Sequence, residues 1–183
     1  MQLYEYIQIL STSIWTIIPF FIRKSKHFLF FLFAGLSDSL GLTLWYSYHL
    51  SSQAIWIPLF YLMVLGIDKP FFLKNIKVIL TGLILILIIN YYSTTYNQYL
   101  FTLIINLIIT IVFARYFYWE FIKNTKFSLF YLAMTFYGFL SLYKSVLMVS
   151  NINLGLNAYY VDTIIQIFIG LFLIFIRKDI SFH

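Results

Sequence analysis

Apolar runs broken by short polar stretches follow one another along the whole chain. Read against those breaks, they predict helices near 3–22, 28–47, 53–67, 76–92, 99–118, 128–148 and 159–176. A helix needs roughly 17–25 mostly apolar residues to cross the hydrocarbon layer of a bilayer. Most of the runs approach that length, and apolar side chains occupy every face rather than one stripe, as in helices with no water-facing side. The third run is short and holds Pro58, which predicts a tilt, a kink or an upstream extension. The fourth, VILTGLILILII, stops early at Asn90, Tyr91 and Tyr92. The expected fold is an all-α membrane protein, a seven-transmembrane helix bundle in which residues 1–183 form a single transmembrane domain.

The polar breaks alternate in charge. Arg23, Lys24 and Lys26 follow the first run, and Lys69, Lys74 and Lys77 the third. Arg115, Lys123 and Lys126 surround the end of the fifth, and Arg177 and Lys178 follow the seventh. The intervening connections, 48–52, 93–98 and 149–158, contain no Lys or Arg. Cytoplasmic loops retain basic residues and translocated loops lose them. This pattern predicts an N-terminus outside and a C-terminus inside, and removing any one run would scramble it. Trp45, Trp56, Trp119 and the tyrosines at run ends, among them Tyr46, Tyr48, Tyr91 and Tyr92, are expected to form the interfacial aromatic belt. No internal repeat is evident, although an odd helix count can conceal a three-plus-one-plus-three duplication.

Composition agrees: 62% of residues are hydrophobic and 10% charged, against about 25% charged in soluble domains. The net charge of +6 follows from topology. Its basic residues sit in short loops and are not gathered on one solvated face, so no nucleic acid is expected as a partner. The chain has no cysteine, which excludes disulfides, thiolate metal sites and thiol nucleophiles. The start, MQLYEY, with Glu5 and a basic cluster only after the first run, is unlike a cleaved signal, so the first helix is expected to be retained. A vocabulary rich in Phe, Ile, Leu, Tyr, Asn and Lys suits an AT-rich genome. The expected location is a bacterial inner membrane, with an organellar inner membrane as the alternative.

Ionisable groups inside a bilayer are costly and mark candidate sites. Asp38 lies about ten residues into its run, some 15 Å deep at about 1.5 Å per residue, beyond the reach of snorkelling. It is expected to face the bundle, with hydroxyls of Ser37, Ser39 and Thr43 nearby and with Gly35 and Gly41 permitting close helix approach. Asn106 and Gln166 are its candidate mid-membrane polar partners. Lys144 and Asp162 fall at similar depth on the last two helices, which a short loop makes antiparallel neighbours, so they form a candidate buried ion pair. Glu5 belongs to the same outer layer, either joining that cluster or facing the headgroups.

The seventh run has no lysine before its inner end, which disfavours a retinal Schiff base. HExxH, GxSxG and Walker motifs are absent, and His27, His49 and His183 fall in loops or at ends. No metal and no cofactor are expected.

The stretch IPFFIRKSKHFLFFLFAGLSDSLGL, the short third run and the closing YYVDTIIQIFIGLFLIFIRK together resemble small seven-helix integral membrane proteins of Bacteroidetes-type bacteria. The resemblance covers most of the chain: Pro19 ending the first helix, basic residues after it, Asp38 in mid-span and Arg177 after the last span. It implies the seven-helix fold and brings no catalytic residues. The second run also looks faintly like the lysoplasmalogenase-type membrane hydrolases, whose intramembrane aspartates have Ser and Gly neighbours. Here Ser37-Asp38-Ser39 is followed by no metal or nucleophile motif, and those proteins usually carry another helix.

The leading functional expectation is a noncatalytic subunit, scaffold or small sensory module of a membrane complex, with the lipid bilayer and other membrane chains as partners. The alternatives are a small-molecule or proton-coupled transporter, which requires a polar cavity reaching the midplane, and an intramembrane lipid-modifying enzyme using Asp38. The enzyme requires a lateral opening beside Asp38 and a second catalytic group within hydrogen-bond reach.

Overall fold

The computed structural model describes residues 3–48, 53–125, 127–152 and 155–176. Lys126, Arg177, Lys178, His49, His183 and most of the 48–52 connection lie outside the described residues, as do the side chains of Trp45, Tyr46 and Tyr48. The described residues are helical with no strand: α1 (Leu3–Ile22), α2 (Phe28–Tyr48), α3 (Gln53–Gly66), α4 (Lys69–Lys74), α5 (Ile76–Tyr92), α6 (Thr95–Asn124), α7 (Leu129–Val149) and α8 (Gly155–Phe175). Three of them, α1, α6 and α7, are long and apolar enough to cross a membrane. The apolar stretches of α2, α3, α5 and α8 are shorter.

Two differences from the sequence pattern have local causes. Inside the 68–77 connection, the Asp68 carboxylate accepts the Phe71 N–H and a proline opens the next turn, so α4 forms as a capped single turn and a half. Helix α6 begins before 99 and outlasts 118. Thr94 caps its start by accepting the Asn97 N–H, and Thr125 ends it in the left-handed region at φ 50°. Its 30 residues span about 45 Å.

Helix α1 packs on α2, α2 on α3, α3 on α6, α6 on α7, α7 on α8, and α8 returns to α1. The result is a closed ring of six helices. α5 stays outside it against α3, where the Tyr61 hydroxyl reaches the Ile79 carbonyl at 3.5 Å. Ile57 near the start of α3, Asn90 near the end of α5 and Phe101 near the start of α6 meet at one level, so α3 and α6 run parallel with α5 opposed to both. Lys144 near the end of α7 meets Asp162 near the start of α8, which opposes those two helices. A shift of three places around the ring carries α1 onto α6, α2 onto α7 and α3 onto α8, each onto a helix of the same direction.

The ring is unevenly filled. At one end lie the ends of α1, α3 and α6 and the starts of α2 and α7, and here Trp15, Phe30, Phe31, Phe113, Phe130 and Tyr131 are buried in contact across the ring. This end carries Arg23, Lys24, Lys26 and Lys69. The opposite half holds a cavity. Outward-facing side chains such as Phe20, Ile84, Phe136 and Phe168 are apolar and exposed, a surface suited to hydrocarbon.

Candidate functional site

Close packing of α1 on α2 sets the orientation of Asp38. A Cβ added to Gly35 would lie 2.9 Å from the Trp15 carbonyl oxygen, so only glycine lets the two backbones approach this closely. One turn on, the hydroxyls of Thr16 and Ser39 meet at 2.6 Å. With that face against α1, Ala34 and Asp38 turn to the cavity. The local hydroxyls do not serve the aspartate as the sequence suggests. Ser39 donates to the Gly35 carbonyl and Thr43 to the Ser39 carbonyl, while the buried Ser37 hydroxyl has no partner among the described residues. Back-bonding to the preceding turn is a hydroxyl's nearest option in a helix. The Asp38 carboxylate makes no hydrogen bond to a described residue. It is accessible from the cavity and close enough to Lys144 for their charges to interact.

The cavity has a volume of about 120 Å³ and takes residues from several helices. Ala34 and Asp38 come from α2, and Trp56, Phe60 and Met63 from α3. Thr102 and Asn106 come from α6, Tyr137, Ser141, Lys144, Ser145 and Met148 from α7, and Gln166 from α8. Apart from the adjacent Lys144 and Ser145, the residues that α2, α3, α6 and α7 supply recur at spacings of three or four, so each of these helices contributes one face. At about 30 Å³ per water, the space holds roughly four.

Its polar lining is organised in two groups. Asn106 donates its amide to the Ser145 hydroxyl at 2.8 Å and to the Ser141 carbonyl at 3.4 Å, which joins α6 to α7. Lys144 Nζ lies 3.3 Å from Asp162 Oδ2, and Gln166 Nε2 donates to the same oxygen at 3.2 Å. Asp38, Asn106 and Gln166 therefore share one cavity but do not bond one another: Asn106 serves Ser145, and Gln166 completes the Lys144–Asp162 pair. Glu5, half-buried on α1, is not part of the lining.

Trp56, placed by sequence in the interfacial belt, lines the cavity instead, whereas Trp119 is exposed as a belt residue would be. Ser141, Ser145, Thr102 and Tyr137 escape sequence reading, although a Ser-x-x-Lys-Ser stripe on an otherwise apolar helix is a signal that could have found the α7 set.

At the basic end, His27 is in a loop by backbone and wholly buried by side chain, with 0% exposure. Its Nδ1 is 2.6 Å from the Ile67 carbonyl, which only accepts, so Nδ1 carries the proton. In neutral His27, Nε2 then accepts from the Tyr131 hydroxyl at 3.2 Å. Rings of Phe113, Tyr116, Phe130 and Tyr131 surround it, and the Lys26 ammonium sits 4.8 Å from the Tyr116 ring centre. The Lys69 N–H donates to the Lys26 carbonyl at 2.8 Å, tying this loop to the α3–α4 turn. This end of the ring is thus filled by a hydrogen-bonded aromatic plug.

An apolar groove of about 520 Å³ runs between α7 and α8, lined by Leu132, Phe136, Phe168 and Phe172 among others, and shares no lining residue with the cavity. No family model matches the chain, and neither a curated protein nor a solved structure matches it.

Proposed function

We propose that this chain is a seven-span protein of a bacterial inner membrane, N-terminus outside and C-terminus inside, that admits a small polar solute to its ring cavity from the outer face and acts as a carrier. The observation that carries the reading is the meeting of Asp38, Lys144 and Gln166 on one cavity lined from α2, α3, α6, α7 and α8. Carriers built from parallel repeats hold their substrate near the midplane at the repeat interface. Intramembrane ionisable residues are retained where they face such a path. The orientation is supported by the gathering of described basic residues at the plugged end, which makes that end cytoplasmic by the positive-inside rule. The cavity side is then external, and the aromatic plug around His27 closes the inner side.

The absence of cysteine makes single-cysteine labelling clean. In intact cells, Asn97→Cys and the cavity variant Ser145→Cys should react with a small impermeant thiol reagent, and Lys24→Cys and Phe113→Cys should not. Labelling of Lys24→Cys from outside refutes the orientation. An inert Ser145→Cys beside a reactive Asn97→Cys refutes entry from that face.

The reading as a noncatalytic subunit, scaffold or sensory module rests on a different observation. Helix α5 stands outside the ring with Val78, Ile84, Leu85 and Ile88 exposed, a face that another membrane chain would cover in place of lipid. Identification of chains that co-purify after gentle solubilisation tests it, and a lone chain would count against it.

A further inference from the structure

Resting on the reading of the cavity as a solute site, we propose that its solute is a small organic monocation, a protonated or methylated amine of a few heavy atoms. Formal charge sets the sign: two carboxylates, Asp38 and Asp162, face one ammonium, Lys144. That ammonium is already committed to Asp162, whose Oδ2 also receives Gln166. Asp38 therefore supplies a negative charge that no described hydrogen-bond donor matches and that the Lys144 ammonium, shared with Asp162, offsets only in part. An anionic solute would meet two carboxylates against the single Lys144 ammonium.

The remaining lining separates an organic cation from a metal ion. Trp56, Phe60 and Tyr137 contribute aromatic rings, and Met63 a thioether, to the lining that also holds Asp38. Aromatic faces attract ammonium groups, most strongly when desolvated. A hard cation of the calcium or magnesium type instead needs six or more oxygen ligands. Among the described residues no cluster of three His, Asp or Glu exists to provide them. The volume of about 120 Å³ suits a guest of the size of tetramethylammonium or isopropylamine.

The test uses the full-length protein in lipid nanodiscs. Tetramethylammonium, isopropylamine, the neutral tert-butanol and the anion isobutyrate are compared by calorimetry and by protection of Ser145→Cys from the thiol reagent. The two cations should bind and protect, and tert-butanol and isobutyrate should not. Asp38→Asn should weaken cation binding at least tenfold, and Trp56→Leu should weaken it by roughly 2- to 30-fold. Asp38→Asn should still fold, because the carboxylate makes no hydrogen bond to a described residue. Thermal unfolding of the variant checks that directly, and Trp56→Leu carries the test should the aspartate variant misfold. Equal binding of tert-butanol or isobutyrate, stabilisation by sodium alone, or full cation affinity in Asp38→Asn would overturn the monocation while leaving the solute cavity standing. A Ser145→Cys that no reagent reaches and no probe protects would overturn both.

Discussion

Replacing Lys144 by methionine keeps most of the side chain's length and apolar stem and removes its charge, which leaves Asp162, among the described residues, with the Gln166 amide. At the observed 3.3 Å, and with an effective dielectric constant near 20, the gross attraction is about 5 kcal/mol. Desolvation of both groups opposes it. Their side chains are 31% and 17% exposed, so neither limiting case applies: a dry pair costs about 3–5 kcal/mol when one member is removed, and a solvated one about 0–1 kcal/mol. A loss of about 1–3 kcal/mol is the expected result for Lys144→Met, read by reversible denaturant unfolding of the purified protein in mixed micelles. Gln166→Leu removes one neutral donor from the same oxygen and should cost less, about 0.6–1.7 kcal/mol, the range for interhelical hydrogen bonds in a membrane protein. Lys144→Met combined with Asp162→Asn should recover part of the single-variant loss, because the uncompensated carboxylate is gone. Strict additivity of the single and double variants would refute the pairing, and a larger loss in Gln166→Leu than in Lys144→Met would refute the assignment of the lysine as the principal partner.

The plug around His27 predicts that Tyr131→Phe, which deletes one hydrogen bond, costs about 1 kcal/mol, while His27→Ala costs about 2–5 kcal/mol through two lost bonds and a cavity among four rings. Comparable losses in the same unfolding assay would contradict the geometry. Gly35→Ala should destabilise by about 1–3 kcal/mol, since its Cβ would press on the Trp15 carbonyl at 2.9 Å. The adjacent exposed Leu36→Ala, which touches the outer surface, should have little effect on packing, so a reversed order would show that α1 and α2 do not approach as described.

The helices were legible because their causes are local. An apolar run between polar breaks specifies a helix wherever it lies, so α1, α2, α5 and α7 begin and end within a residue or so of the expected positions. Closeness of Lys144 and Asp162 was legible for a related reason: a short connection and equal depth on consecutive helices leave few other arrangements. Even the departures at α4 and α6 trace to single capping residues, Asp68 and Thr94.

What the tertiary structure alone decided depends on which helices are neighbours and on how each is rotated about its axis. Periodicity is silent on both when every helix face is apolar, because burial in the bundle and exposure to lipid select the same side chains. Ring closure, with α3 against α6 and α5 left outside, therefore had no signature in the pattern. Rotation turned Trp56 from an expected anchor into a cavity wall and sent the amides of Asn106 and Gln166 to Ser145 and Asp162 instead of Asp38. His27 is the clearest case. Its backbone lies in a polar loop, as the sequence suggests, but the loop is zipped to the α3–α4 turn, and the ring dips between helices whose meeting only the fold arranges.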